Sequence, residues 1–135
     1  MLTKSELMAI PLKIRDIKRA RARLEKMRSK LYSPQGFDSR ERVQTSGQQH
    51  DELADMVIDL EARLKAEEDK VAVLKQQAIE MFMALDAEGR QLMTLRYIGA
   101  LSWGEIAEVM SYSLSTLFRR HRQILIGLYP EESEG

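Results

Sequence analysis

The chain has 135 residues and carries 21 basic and 21 acidic side chains, so its formal net charge is zero. It contains no cysteine, which excludes disulfides and thiolate zinc sites, and its three prolines and seven glycines argue against an all-β sandwich or barrel. No uncharged run is long enough to cross a membrane, and charged residues interrupt the N-terminus before an export signal forms. These features predict a helix-rich cytoplasmic protein of one domain, or of one domain plus an extension, with no membrane partner.

The zero net charge conceals an uneven distribution. Residues 1–32 carry ten basic and three acidic side chains, whereas residues 50–86 carry four basic and ten acidic ones. Residues 87–128 are slightly basic, and residues 129–135 form an acidic tail. An asymmetry of this size between segments requires a structural or functional cause.

The two strongly charged segments have the apolar pattern of coiled-coil helices. In residues 10–32 and 50–86, apolar residues recur mainly three, four or seven positions apart, and the second segment contains neither Gly nor Pro. Because Pro11 lacks a backbone N–H, we expect the first regular helix to begin near Ile10, either directly or after a short helical arm. Each apolar stripe is narrow, so each helix needs a partner to cover it.

The segment between the two helices is rich in Ser, Gln and Gly and predicts a loop at about residues 33–49. Residues 1–86 are therefore expected to form a long antiparallel helical hairpin, with Leu24 facing Leu60. The hairpin is expected to make a homodimer or to bind RNA polymerase. The basic first helix is also a candidate nucleic-acid surface, although we expect the acidic second helix to weaken its field.

Residues 87–128 change character and divide into three short helices. The first is expected at about residues 87–98. Ser102, followed three positions later by Glu105, has the capping-box pattern that begins a helix, and Ser113 is expected to cap the third helix. Two short helices joined by a turn of about three residues predict a helix-turn-helix.

The third of these helices has the residue types that bind DNA. It has no acidic side chain, and its outward side carries hydroxyl and guanidinium groups. Arginine offers paired donors that match guanine edges or phosphate oxygens, and hydroxyls bond to phosphates or bases. The candidate DNA-contacting residues are Ser115, Thr116, Arg119, Arg120 and Arg122.

The same stretch contains L-R-Y, then L-S-x-x-E-I-A, then S-x-x-T-L, in the segment RQLMTLRYIGALSWGEIAEVMSYSLSTLFRRHRQIL. In this it resembles region 4 of sigma-70-type transcription factors. The resemblance implies promoter reading by the opening of the third helix and adds Ser113 and Leu114 to the candidate set. Leu114 departs from the basic residue that sigma factors often carry, so it is expected either to touch a thymine methyl or to pack inward. Ser111 departs from the usual glycine of the turn.

The chain is also similar to a narrower group, the small phage and prophage regulators described as ArpU- or RinA-like, which pair a helical hairpin with this module. The similarity covers about residues 10–128 and includes the VQTS motif at Val43–Ser46 and the D-L-E motif at Asp59–Glu61. It implies a phage-encoded transcriptional regulator that binds double-stranded DNA and RNA polymerase.

Motifs for other chemistry were not found in the sequence. There is no Gly-rich phosphate loop, no G-x-S-x-G and no metal-ligand spacing, so we predict no enzyme activity, cofactor, metal site or small-molecule substrate. Trp103 and His121 are interpreted as packing residues. Two alternatives to a regulator are kept: a phage DNA-packaging recognition subunit, and a module that binds RNA polymerase without specific DNA contact.

Overall fold

The computed structural model of the protein describes residues 1–32 and 46–132. The side chains of Tyr32 and residues 46–50 lie outside this description. No strand occurs in the two described ranges, which consist of helices and the short turns between them. The prediction of an all-helical protein is confirmed.

Two long helices precede three short ones. The elements are α1 (Lys4–Tyr32), α2 (Ser46–Phe82), α3 (Ala87–Met93), a π-helical turn (Thr94–Ile98), α4 (Trp103–Met110) and α5 (Leu114–Leu128). In the described part of the chain, no helix is apolar over a length that would span a bilayer.

Helix α1 begins earlier than its proline suggested. Thr3 and Glu6 cap it reciprocally, since the Glu6 N–H donates to Thr3 Oγ1 at 3.1 Å and the Thr3 N–H donates to Glu6 Oε1 at 2.9 Å. Pro11 lies inside the helix and is buried. The expected start of the regular helix near Ile10 is therefore wrong, since the residues before Pro11, for which a short helical arm was the alternative, are continuous with α1. The cap and the complete burial of Leu7 favour helix on the N-terminal side of Pro11, despite the hydrogen bond that the proline removes.

Helix α2 also begins earlier than expected. It starts at Ser46, so the last residues of the loop predicted at about residues 33–49 are helical. The remainder of that loop, which includes Val43–Thr45 of the VQTS motif, lies outside the described residues.

Packing contacts divide the chain into two compact units. Unit 1 comprises Met1–Arg15 with Lys70–Gly135, and unit 2 comprises Asp16–Asp69. The long helices therefore contribute residues to both units. The boundary predicted at residue 86 is the point where charge and residue pattern change along the sequence. The two units are defined instead by which residues pack against each other.

Unit 2 is held by a narrow apolar cluster with ion pairs beside it. The buried members of the cluster are Leu24, Leu31, Val57 and Leu64. Arg28 of α1 contacts Glu61 of α2 at 2.8 Å, and Arg21 pairs with Glu68. The later arginine of α1 pairs with the earlier glutamate of α2, so these two helix segments run in opposite directions. In the predicted register of Leu24 opposite Leu60, each of these acidic partners lies five residues further along α2 than the position directly opposite its arginine, an offset of ~7–8 Å that two long side chains can bridge.

Unit 1 contains the most completely buried side chains. Leu92, Ile106 and Leu117 form a cluster that α3, α4 and α5 share. The Tyr129 phenol is buried and donates to the backbone oxygen of Leu2 at 2.8 Å, which ties the two ends of the unit together. The first residue of the predicted tail therefore belongs to the packed unit.

Candidate nucleic-acid interface

Side-chain caps define the junction between α4 and α5. The Glu105 N–H donates to Ser102 Oγ at 3.2 Å and the Ser102 N–H donates to Glu105 Oε1 at 2.9 Å, so the predicted capping box is confirmed. Ser111 ends α4 in the left-handed conformation, with φ 59° and ψ 42°. Ser113 then accepts from the Thr116 N–H at 3.2 Å and begins α5, as predicted. Together these caps set where the N-terminal turn of α5 begins.

An aromatic cluster fixes α5 within unit 1. The Trp103 ring meets Phe118 edge-on at 5.3 Å and His121 at 4.7 Å between ring centroids. The guanidinium of Arg96 lies 4.8 Å from the centre of the Trp103 ring. The Tyr97 hydroxyl is 2.7 Å from His121 Nε2. Trp103 and His121 are therefore packing residues, as the sequence indicated.

Burial keeps the Tyr97–His121 pair neutral. Loss of hydration, with a smaller contribution from the charges of Arg96 and Lys4, lowers the pKa of His121 to about 4. Loss of hydration likewise raises the pKa of Tyr97 to about 12. At neutral pH both side chains are neutral, so His121 adds no positive charge to this face. The positive charge of α5 comes from its arginines.

Three of the candidate residues share the outward face of α5. Ser115, Arg119 and Arg122 are four and three positions apart, which places them on one side of a helix, and all three are exposed. The buried Leu117 lies on the opposite side. Neither arginine makes an ion pair with any of the described residues. We call these three residues the α5 reading face.

Arg120 has a different environment. Its Nη1 lies 2.8 Å from Glu88 Oε1 of α3, and its guanidinium lies 5.5 Å from the centre of the Tyr112 ring. The nearby Glu88 carboxylate is the largest cause of the raised pKa of Tyr112. The predicted candidate Arg120 is thus held by its own chain, on another side of α5 from Arg119 and Arg122.

Glu88 is the residue of this region that sequence reasoning missed. With Arg120 and Gly89 it lines a surface cleft of about 200 Å³. The charge of Glu88 falls in the first turn of α3, where an acidic residue is ordinary. Its partner is more than thirty positions away, so no local spacing marked the pair.

The remaining candidates lie at the start of α5. Ser113 Oγ donates to Thr116 Oγ1 at 2.9 Å and lies 3.3 Å from Ser115 Oγ. Ser113 and Thr116 therefore form the N-terminal cap of α5. Leu114 is 46% exposed and does not pack inward. Phe118, one turn later, is 47% exposed. These two side chains form an apolar patch on the surface of α5.

No protein-family model matches the chain, and no similar curated protein or solved structure was found. Among the residues that the structure describes, no group of three His, Asp or Glu side chains could hold a metal ion.

Proposed function

We propose that this protein is a DNA-binding transcriptional regulator, in which α4 and α5 form a helix-turn-helix and α5 enters the major groove. The observation that carries the proposal is the α5 reading face. It combines two exposed arginines, without an ion-pair partner among the described residues, and a hydroxyl on a helix without acidic side chains.

Each residue of the reading face has a defined role in this proposal. Arg119 and Arg122 offer forked donors to guanine O6 and N7 or to phosphate oxygens, and Ser115 donates or accepts one hydrogen bond. From Ser115 to Arg122 the helix rises ~10 Å at ~1.5 Å per residue. That length matches ~3 base pairs at ~3.4 Å each, which is too few for high affinity from one copy.

A dimer would supply the missing affinity. Two copies joined through an antiparallel hairpin formed by α1 and α2 would present two reading faces to two half-sites, and the linked second contact would strengthen the first. The resemblance of residues 90–125 to sigma region 4 favours a role in transcription, with RNA polymerase as a further partner. The resemblance to phage regulators favours a phage or prophage source and a cytoplasmic setting.

Selection from a random duplex library with the full chain tests the proposal. We expect an enriched sequence, and we expect Arg119→Ala or Arg122→Ala to weaken binding to it by ~1–3 kcal/mol. Arg63→Ala, which removes an exposed arginine of α2, is the matched control and should leave the affinity nearly unchanged. Enrichment of no sequence, or equal binding by Arg119→Ala, would refute reading by α5.

A second candidate function rests on the apolar patch of Leu114 and Phe118, which is open for a protein partner. In that case the module binds RNA polymerase without specific DNA contact. Retention of polymerase that is lost in Leu114→Ser/Phe118→Ser, together with no enriched DNA sequence, would favour this function. A ring-shaped oligomer in solution would instead favour the DNA-packaging alternative.

A further inference from the structure

The part of α1 that belongs to unit 2, from Asp16 to Tyr32, carries a continuous row of basic side chains. Arg19, Arg23, Lys26 and Lys30 are four, three and four positions apart, so they lie along one side of the helix, and each is exposed. At ~1.5 Å per residue the row is ~16 Å long, with ~4.5–6 Å of rise between neighbours. We call these four residues the α1 basic ridge.

The ridge lies apart from the ion pairs that hold unit 2. Arg21 and Arg28 lie on a different side of α1, where they contact Glu68 and Glu61 of α2. At ~100° per residue, the ridge is centred more than a quarter turn from these two arginines. None of the four ridge residues pairs with an acidic side chain in the described ranges. The acidic helix therefore neutralises one flank of α1 and leaves the ridge uncompensated.

We propose that the α1 basic ridge binds the phosphate backbone of duplex DNA without sequence preference. Duplex DNA carries one negative charge per ~1.7 Å of its axis, so several phosphates lie within the length of the ridge. Long, flexible lysine and arginine side chains release condensed counterions when they contact these phosphates. This contact lies in unit 2, requires no residue of the α5 reading face, and supplies affinity that does not depend on sequence.

A membrane surface fits the ridge less well than DNA does. A helix that lies on a bilayer needs an exposed apolar face beside its cations. In this segment Leu24 and Leu31 are buried in the unit 2 cluster, and Ile17 and Met27 pack against it. No apolar face of this segment is left for lipid.

The acidic side of a second copy fits less well for a different reason. Glu61 and Glu68 are already paired with arginines of their own chain. Asp59 pairs with Arg63 of the same helix. A second copy would therefore offer acidic groups that are in part neutralised, whereas DNA offers a regular row of full charges.

Salt titration of DNA binding by the full chain tests the ridge. The variant Arg19→Gln/Arg23→Gln/Lys26→Gln/Lys30→Gln removes four charges. The control Lys13→Gln/Arg63→Gln/Lys65→Gln/Lys75→Gln removes the same number from other exposed or half-exposed positions. Affinity for a random-sequence duplex is measured by fluorescence anisotropy between about 50 and 200 mM NaCl. Circular dichroism establishes that both variants are folded.

We expect the ridge variant to lower the slope of log affinity against log salt by ~3–4, because each phosphate contact contributes ~0.9. Over this salt range the wild type would then lose ~100-fold more affinity than the variant. The control should change the slope by less than the ~0.9 that one phosphate contact contributes. Arg19→Lys/Arg23→Lys, which keeps the charges, should retain the wild-type slope.

An unchanged slope in the ridge variant, or a wild type that binds no duplex at low salt, would overturn the proposal. So would a ridge variant that binds DNA normally but loses affinity for phosphatidylserine vesicles or fails to self-associate. The ridge variant should weaken binding to a selected site and to random DNA by the same factor, whereas Arg119→Ala should weaken binding to the selected site more than binding to random DNA. Ridge-dependent binding without any selected sequence would refute reading by α5 and leave the ridge assignment standing.

Discussion

The two units of this protein are stabilised in different ways. In unit 2 a few aliphatic residues form a narrow cluster, and charged pairs such as Arg28–Glu61 lie beside it. In unit 1 Leu92, Ile106 and Leu117 are almost fully excluded from water, and aromatic contacts surround Trp103. The first arrangement leaves most of a long helix free to present charge. The second fixes the position of a short helix against the rest of its unit.

The largest expected effect comes from the core of unit 1. Leu117 is 0% exposed, so Leu117→Ala should destabilise unit 1 by ~2–5 kcal/mol through lost burial and a residual cavity. Trp103 is the single tryptophan of the chain, so its fluorescence reports unit 1 during urea unfolding, while circular dichroism reports all helices. Leu64→Ala in unit 2 should shift the dichroism transition more than the fluorescence transition. Equal shifts of both probes in both variants would show that the units unfold together.

The stability of unit 1 should also depend on pH through His121. The pKa of this residue falls from 6.5 to about 4 on folding, so the unfolded chain binds more protons between these values. Stability is therefore complete above about pH 6.5 and falls as the pH decreases towards 4. We expect a loss of ~1–2 kcal/mol, less than the full shift implies because the ring is partly exposed.

Urea unfolding at pH 7 and near pH 4.5, followed by Trp103 fluorescence, measures this loss. Carboxylates titrate in the same range, so the informative quantity is the difference between wild type and His121→Gln. His50→Gln, at the other histidine of the chain, is the matched control. An equal pH dependence in His121→Gln and wild type would contradict the assignment of the effect to His121.

A smaller gain in stability is expected at the turn between α4 and α5. Ser111 has φ 59°, a conformation that costs a residue with a Cβ atom and suits glycine. Ser111→Gly should therefore stabilise unit 1 by ~0.5–1 kcal/mol in thermal or urea unfolding. Ser111→Ala keeps the Cβ atom and should bring no gain. A gain from alanine equal to that from glycine would show that the backbone conformation is not the cause.

The smallest effect is expected at the ion pairs of unit 2. Arg28 is partly exposed, and its hydrogen bond to Glu61 is the largest cause of its raised pKa. Arg28→Gln should lower the melting temperature slightly at low salt, and the difference should vanish near ~1 M NaCl, where charges are screened within ~3 Å. A double-mutant cycle with Glu61→Gln isolates the pair. Coupling that persists at high salt would indicate packing by the arginine stem instead of charge.

Features that depend on residues within one or two turns of each other were predictable from the sequence. The all-helical class followed from apolar spacing and from the scarcity of Gly and Pro. The caps at Ser102 and Ser113 followed from side chains three positions from their partners. The outward face of α5, with Arg119 and Arg122, followed from helical periodicity.

Features that depend on distant partners could not be read in this way. Leu7 and its buried neighbours extend α1 through Pro11, because tertiary burial outweighs a local preference. The ion pair of Arg120 with Glu88, more than thirty positions away, joins two helices and has no local signal in the sequence. The pairing of Arg28 with Glu61 brings together residues 33 positions apart, which no local spacing could predict. A heptad repeat looks similar after each turn, so apolar spacing alone leaves the register open, and packing across the two helices selects it.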